Sequence, residues 1–203
     1  MLDNFLIRTA DVVIALVALL VLGVPMIAIA LLIRMDDRGP AFFVQQRVGQ
    51  GGRNFNIYKF RSMRVSPTAF VGEPAAMTRA EKAAARKKFQ TTKDNDPRIT
   101  RMGRILRPSH LDELPQLLNV LTGDMSIVGV RPDTPLQEVD YSPEYWSRRH
   151  RLRPGITGPA QLESDVATLE KRSALEETWI ASPRLSTYLL IQIKTVYKVL
   201  ART

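Results

Sequence analysis

Residues 12–33 read Val12-Val-Ile-Ala-Leu-Val-Ala-Leu-Leu-Val-Leu-Gly-Val-Pro-Met-Ile-Ala-Ile-Ala-Leu-Leu-Ile33, with no charged side chain. At ~1.5 Å per residue a straight helix of this length reaches about 33 Å, enough for a bilayer core of roughly 30 Å. A globular core helix seldom lacks a polar face over about six turns, so that reading is disfavoured. A cleaved signal peptide is disfavoured as well. The apolar run is long, and Leu32-Ile33-Arg34 offers no small-residue cleavage site. Pro25 removes a backbone donor and crowds the preceding turn, so a helix break or kink is expected there. Arg8 lies before the run and Arg34 and Arg38 after it. Positive charge at both ends leaves a spanning helix and a re-entrant helix-break-helix both open.

The other residues read as one folded unit over 39–203. Of the 203 residues 45% are hydrophobic, enough for a core. There is no cysteine, which excludes disulfides, cysteine-based zinc sites and a thiol nucleophile. His110 and His150 are the two histidines, too few for a multi-histidine metal site. The formal charge is +9, and residues 34–110 carry 17 basic against 6 acidic side chains. Such a segment calls for an anionic partner: nucleic acid, anionic membrane lipid or a phosphorylated substrate. No nucleic-acid motif is present and aromatic residues are 7%, so nucleic acid is not expected.

Two short runs, 41–44 and 55–60, flank Gly49, Gly51 and Gly52 and predict a β-hairpin. No Gly-Lys-Ser/Thr follows those glycines, so a turn is favoured over a phosphate loop. Residues 78–89 predict a helix opened by a Thr78–Glu81 capping box. Its Arg79, Lys82, Arg86, Lys87 and Lys88 form a basic face, read either as solvated or as lying on anionic headgroups. Asp94-Asn95-Asp96-Pro97 is a turn. Residues 111–121 and 144–151 predict helices, 153–159 a rigid loop, and 185–200 an amphipathic helix with Lys194 and Lys198 on its polar side. The fold class is α+β, mostly helical, with a β-hairpin and amphipathic interfacial helices.

Arg107-Pro108-Ser109-His110-Leu111-Asp112-Glu113-Leu114-Pro115-Gln116 holds two adjacent carboxylates near a helix start. Ser109 is the expected N-cap, and Pro115 suits an early turn. A helix dipole there favours ionised Asp112, the form that attacks phosphorus. Adjacent residues on a helix point apart, so Asp112 and Glu113 divide their tasks. One attacks while the other holds a cation, for which Mg²⁺ is suited. Alone, the pair is ordinary helix capping. Around it lie Tyr58-Lys59-Phe60-Arg61, Gly129-Val130-Arg131-Pro132 and Arg153-Pro154-Gly155, each placing cations beside glycine, proline or an aromatic residue where phosphate could be bound.

Lys59-Phe60-Arg61-Ser62-Met63, Asp96-Pro97-Arg98-Ile99-Thr100, Leu111-Asp112-Glu113-Leu114-Pro115-Gln116, Gly123-Asp124-Met125-Ser126, Arg131-Pro132 and Arg153-Pro154-Gly155-Ile156-Thr157-Gly158 occur in order along the chain. In these motifs the chain resembles the monotopic phosphoglycosyl transferases, bacterial enzymes that start glycan assembly on polyprenyl phosphate. The short length resembles their minimal catalytic form. The resemblance implies a ping-pong transfer of phospho-sugar from a UDP-sugar, through Asp112, to polyprenyl phosphate, with release of UMP. Glu113, with Asp112, would bind Mg²⁺. Lys59, Arg61, Arg107, Arg131 and Arg153 would face phosphates, and Asp124 and Gln161 are further candidate site residues. Residues 1–38 would form a re-entrant membrane helix broken at Pro25, and 39–203 a cytoplasmic catalytic domain on the bacterial inner membrane. Three departures stand out. Val24 replaces serine before Pro25, His110 replaces serine before Leu111, and Val130 replaces proline before Arg131. The competing reading is a non-catalytic membrane-anchored protein that binds anionic lipid or nucleic acid. Sugar specificity is assigned to the least motif-like stretches, 65–93 and 163–183.

Overall fold

The computed structural model of the chain describes residues 2–64, 77–88, 96–163 and 168–201. Its longest element is α1 (Leu2–Asp37), a single helix of 36 residues, about 54 Å long at ~1.5 Å per residue. Pro25 lies inside it without ending it. Among the described residues α1 is the one helix long and apolar enough to cross a membrane.

One face of α1 packs inward at helical spacing. Ile7, Asp11, Ala15 and Ile33 are buried. Ala18, Leu19, Met26, Ile29 and Ala30 rest against buried residues of the core. The opposite face is apolar and bare: Leu20 is 82% exposed and Val24 77%. A contiguous apolar surface of this kind marks an interaction site rather than a water-facing one.

Both ends of α1 are tied to the rest of the molecule. Near its start, Asp3 accepts from Leu185 N (3.2 Å) and Arg8 donates to the Val120 (2.7 Å) and Leu121 (3.1 Å) carbonyls. Near its end, Asp36 accepts from Met102 N (3.2 Å) and Asp37 pairs with Arg61. Between these ties, buried Asp11 accepts three bonds, from Ser126 Oγ, Ile127 N and Tyr188 Oη.

The expected hairpin forms and is longer than the sequence runs indicate. β1 (Phe42–Val48) pairs antiparallel with β2 (Asn54–Phe60), from Phe42↔Phe60 to Val48↔Asn54. Gly51 and Gly52 both take positive φ in the turn between them, a conformation that glycine adopts without strain. α2 (Arg79–Lys88) also matches expectation. Thr78 N donates to Glu81 Oε2 (2.7 Å) and Glu81 N to Thr78 Oγ1 (3.3 Å), completing the capping box. The turn at 94–97 and the stretch 65–93 fall largely outside the described residues.

α3 (Arg101–Leu106) is opened by Thr100, whose hydroxyl accepts from Gly103 N. The helix expected over 111–121 divides. A 3₁₀ turn at Leu111–Glu113 precedes α4 (Gln116–Thr122), with Pro115 at the start of α4. β3 (Ser126–Val128) follows, then a 3₁₀ segment Pro135–Asp140 and α5 (Pro143–Arg149). The loop expected over 153–159 instead holds a fourth strand, three residues long. β4 (Gly155–Thr157) runs parallel to β3, with Ser126 beside Gly155 and Val128 beside Thr157. A Cβ on Gly129 or Gly155 would run into the backbone of the other segment, so these glycines let two chains approach each other. α6 (Pro159–Leu162), α7 (Leu169–Ala181) and α8 (Leu185–Leu200) complete the chain.

α8 has the predicted bounds and is two-sided. Tyr188 and Ile191 are buried, while Leu189, Leu190, Ile193, Val196 and Tyr197 are exposed. Among the described residues the architecture is α+β and mostly helical, with two small two-stranded sheets. Three apolar clusters of these residues form the core, and α1 contributes to all of them.

Candidate active site

The hairpin register builds one wall of the site. Residues paired across strands point to the same face, as do residues two apart. Arg47 opposite Phe55, Gln45 opposite Ile57, and Phe43 opposite Lys59 therefore share a face. Arg47, Ile57 and Lys59 line a cavity from that face. Glu113 and Gln116 close it from the 3₁₀ turn and the start of α4. Arg131, Pro132, Gly155, Ile156 and Gln161 close it from the β3–β4 side.

Lys59 Nζ lies 2.5 Å from Glu113 Oε1. Burial alone would raise the Glu113 carboxyl, but Lys59 and Arg131 hold it below its ordinary range. Asp112 goes the other way. Burial raises it, and Lys59 only partly opposes that. The surroundings thus shift the adjacent carboxylates in opposite directions. Arg47 is lowered to about 10, by burial first and by Arg131 next. It stays cationic at neutral pH, and its Nε, buried, has no partner.

Two expectations are corrected here. Ser109 does not cap the turn that carries Asp112. Its hydroxyl donates to the Ile105 (2.9 Å) and Leu106 (3.2 Å) carbonyls and closes α3 instead. The residue before Leu111 is His110, left-handed at φ 56°, with no capping bond from its side chain. Nor does a helix dipole keep Asp112 easily ionised. The 3₁₀ turn is three residues long, too short to sum to an appreciable dipole, and burial prevails.

The sequence-derived cations separate. Lys59 and Arg131 line the cavity, and Arg107 is close enough to Asp112 to favour its ionised form. Arg61 is not in the cavity lining. It is buried against Asp37 at the end of α1. Arg153 donates to the Gly123 carbonyl (2.8 Å) and lines a different cavity with Arg8 and Trp179. Asp124, which accepts from Thr122 Oγ1 (2.8 Å), is also outside the lining. Gln161 is in it, with a buried Oε1 that has no partner. Sequence reasoning missed Arg47, although period-two alternation through the glycine turn places it on the face of Lys59.

Three cations of the α2 basic face reach partners on the 3₁₀ segment and just after it. Lys82 pairs with Glu138 (2.5 Å), Arg86 with Asp140 (2.8 Å), and Arg79 donates to the Tyr141 carbonyl (3.0 Å). Those three cations have partners within the protein. They dock the helix on the 3₁₀ segment Pro135–Asp140.

Among the described residues no three His, Asp or Glu side chains gather as a metal cluster. Asp112 and Glu113 suit a Mg²⁺ that takes one or two carboxylates and completes its shell with substrate phosphates and water. One Glu113 oxygen already faces Lys59.

The site is a carboxylate pair among cations, on a body that bears a bare apolar helix long enough to cross a membrane. The chain belongs to the bacterial sugar transferase family, whose model matches residues 2–202. It is 36% identical over 202 residues to the UDP-N-acetylgalactosamine-undecaprenyl-phosphate N-acetylgalactosaminephosphotransferase of Aeromonas hydrophila, covering 97% of this chain and 44% of that protein. It is 37% identical over 211 residues to the UDP-glucose:undecaprenyl-phosphate glucose-1-phosphate transferase of Xanthomonas campestris pv. campestris, covering 98% and 40%. The exopolysaccharide production protein PSS of Rhizobium leguminosarum bv. phaseoli is 44% identical over 167 residues, 79% of this chain and 74% of that protein. The chain thus spans less than half the length of the first two.

Proposed function

We propose that the chain transfers a phospho-sugar from a UDP-sugar to polyprenyl phosphate, opening glycoconjugate assembly at the membrane. The observation that carries this reading is the cavity in which Arg47, Lys59 and Arg131 outnumber Glu113, with Asp112 beside it. The excess positive charge suits a diphosphate. The named activities of the relatives point to the same substrates.

In the proposed first step an Asp112 carboxylate oxygen attacks the sugar-linked phosphorus. The bridging bond to the uridylyl phosphate breaks, and UMP leaves with the bond electrons. In the second step an oxygen of polyprenyl phosphate attacks the same phosphorus. The acyl–phosphate bond breaks, and Asp112 is regenerated beside a polyprenyl diphosphate sugar. Lys59, Arg131 and Arg47 bind the phosphate oxygens and offset charge as it moves between them. Glu113 and Asp112 would hold Mg²⁺, which when bound screens the diphosphate and stabilises the leaving phosphate.

We place α1 as a helix bent at Pro25 that enters the membrane without crossing it, with both ends on the side of the catalytic domain. Support comes from its two tethered ends, Arg8 on α4 carbonyls and Asp36 on Met102 N. A crossing helix would carry one end about 30 Å from that domain. The bare faces of α1 and α8 would lie in lipid.

UMP release from a panel of UDP-sugars, measured in nanodiscs with Mg²⁺ and undecaprenyl phosphate, tests the chemistry. Release from at least one donor is expected, and an Asp112→Asn protein with full turnover would rule out the mechanism. Topology is tested separately, since the chain has no native cysteine. Leu2→Cys and Arg38→Cys should react with an impermeant reagent from one face, and reaction from opposite faces would establish a spanning helix.

A further inference from the structure

Behind the cavity, four charged side chains bury themselves against one another. Arg149 Nη1 lies 2.6 Å from Asp133 Oδ2, and its Nε and Nη2 lie 2.8 and 3.0 Å from the two Glu176 oxygens. Arg172 spans the same acids, 3.0 Å from Asp133 Oδ1 and 3.2 Å from Glu176 Oε1. The side chains of Arg149 and Glu176 are 0% exposed.

This cluster also grips the backbone of Arg131 on both sides. Arg131 N donates to Glu176 Oε1 (3.4 Å), and its carbonyl accepts from Arg149 Nη2 (2.7 Å) and Arg172 Nη2 (3.3 Å). The next two carbonyls are taken as well: Pro132 O by Arg47 Nη1 (2.9 Å) and Asp133 O by Val48 N (2.9 Å). What remains is the Arg131 side chain, which lines the cavity and helps hold Glu113 ionised. Buried ion clusters contribute little net stability compared with apolar packing. What this one supplies is a backbone that cannot shift, and binding groups need that kind of support.

We propose that Glu176, Arg149 and Arg172 are positioning residues for Arg131, setting its guanidinium opposite Lys59 to receive a phosphate of the nucleotide-sugar. None of the three lines the cavity. The proposal rests on the function proposed above, and it predicts that changes in the cluster act through Arg131.

The test is a double-mutant cycle on kcat/KM for UMP release and on UDP affinity, in the full chain in nanodiscs. Arg172→Gln is the working variant, because Arg172 sits at the rim of the cluster and is partly exposed. Glu176→Gln is the stronger variant if it folds. In the otherwise native chain, Arg172→Gln should lower kcat/KM about tenfold to a hundredfold and weaken UDP binding, as loss of orientation does. On an Arg131→Ala background the same change should alter kcat/KM by less than about twofold, because the group it serves is already gone. Equal losses on both backgrounds, or no loss in the native chain, would overturn the positioning role. A native chain that neither releases UMP nor binds UDP would instead overturn the proposed function, and this inference with it.

Discussion

Arg47 is partly buried and Arg149 fully buried, and their surroundings push them in opposite directions. Arg47 is drawn down to about 10, by burial first and by Arg131 next. Burial also draws Arg149 down, but Asp133 and Glu176 more than restore it. Arg47 belongs to a cavity with more cations than acids. Arg149 belongs to a cluster with two acids for two arginines. Charge taken from water is costly unless it is paired; the cluster pairs its charges within the protein, whereas the cavity holds cations in excess. Residues 131–133 join the two regions: Arg131 faces the cavity and Asp133 the cluster.

The contrast can be broken at several points. The largest effect is expected at the cavity's edge. Asp112→Asn should lower the UMP-release rate by at least about 10³-fold with little change in thermal midpoint, as loss of an attacking group does. Parallel rate and melting assays check this. The reverse pattern is expected behind the cavity. Glu176→Gln leaves the buried Arg149 and the partly buried Arg172 underbalanced and should cost about 3–5 kcal/mol of stability, read by denaturant unfolding.

A medium effect separates the two carboxylates. Lys59 opposes the upward push on Asp112 and holds Glu113 down. Removing it in Lys59→Met should raise both, so more of Asp112 is protonated at any given pH. The acid limb of the kcat/KM profile should move to higher pH, with a loss of about 10-fold to 100-fold near neutrality. A limb that stays in place would assign the ionisation to another group. The smallest effect is expected at α2. Lys82→Gln breaks a pair at the surface, where one side chain is 30% exposed, and should cost less than about 1 kcal/mol with activity unchanged.

How legible each part was depended on how local its cause is. The hairpin, the α2 capping box and the α8 bounds follow from alternation, glycine placement and helical spacing within a few residues of one another. β3 and β4 are three residues each and pair across 126 and 155, a match no short window contains. Without that pairing, Gly129 and Gly155 looked like places for an anion to approach. They are places where two backbones meet. Arg153 and Arg61 sit in motifs as strong as that of Lys59, yet turn toward Gly123 and Asp37. A motif gives the residue type, while the direction of a long flexible side chain is set by what surrounds it. The α2 cations show the same limit, since their acidic partners lie more than fifty residues away.

The sequence by itself determined that the chain has an apolar helix suited to a membrane, a hairpin bearing Lys59, and an acidic pair at Asp112 and Glu113. Each of these is written in contiguous residues. Only the tertiary structure decided which cations surround that pair, that Asp112 and Glu113 are shifted oppositely, and that α1 is tethered at both ends. Those depend on burial and on through-space distance between charges, and neither is a property of neighbours along the chain.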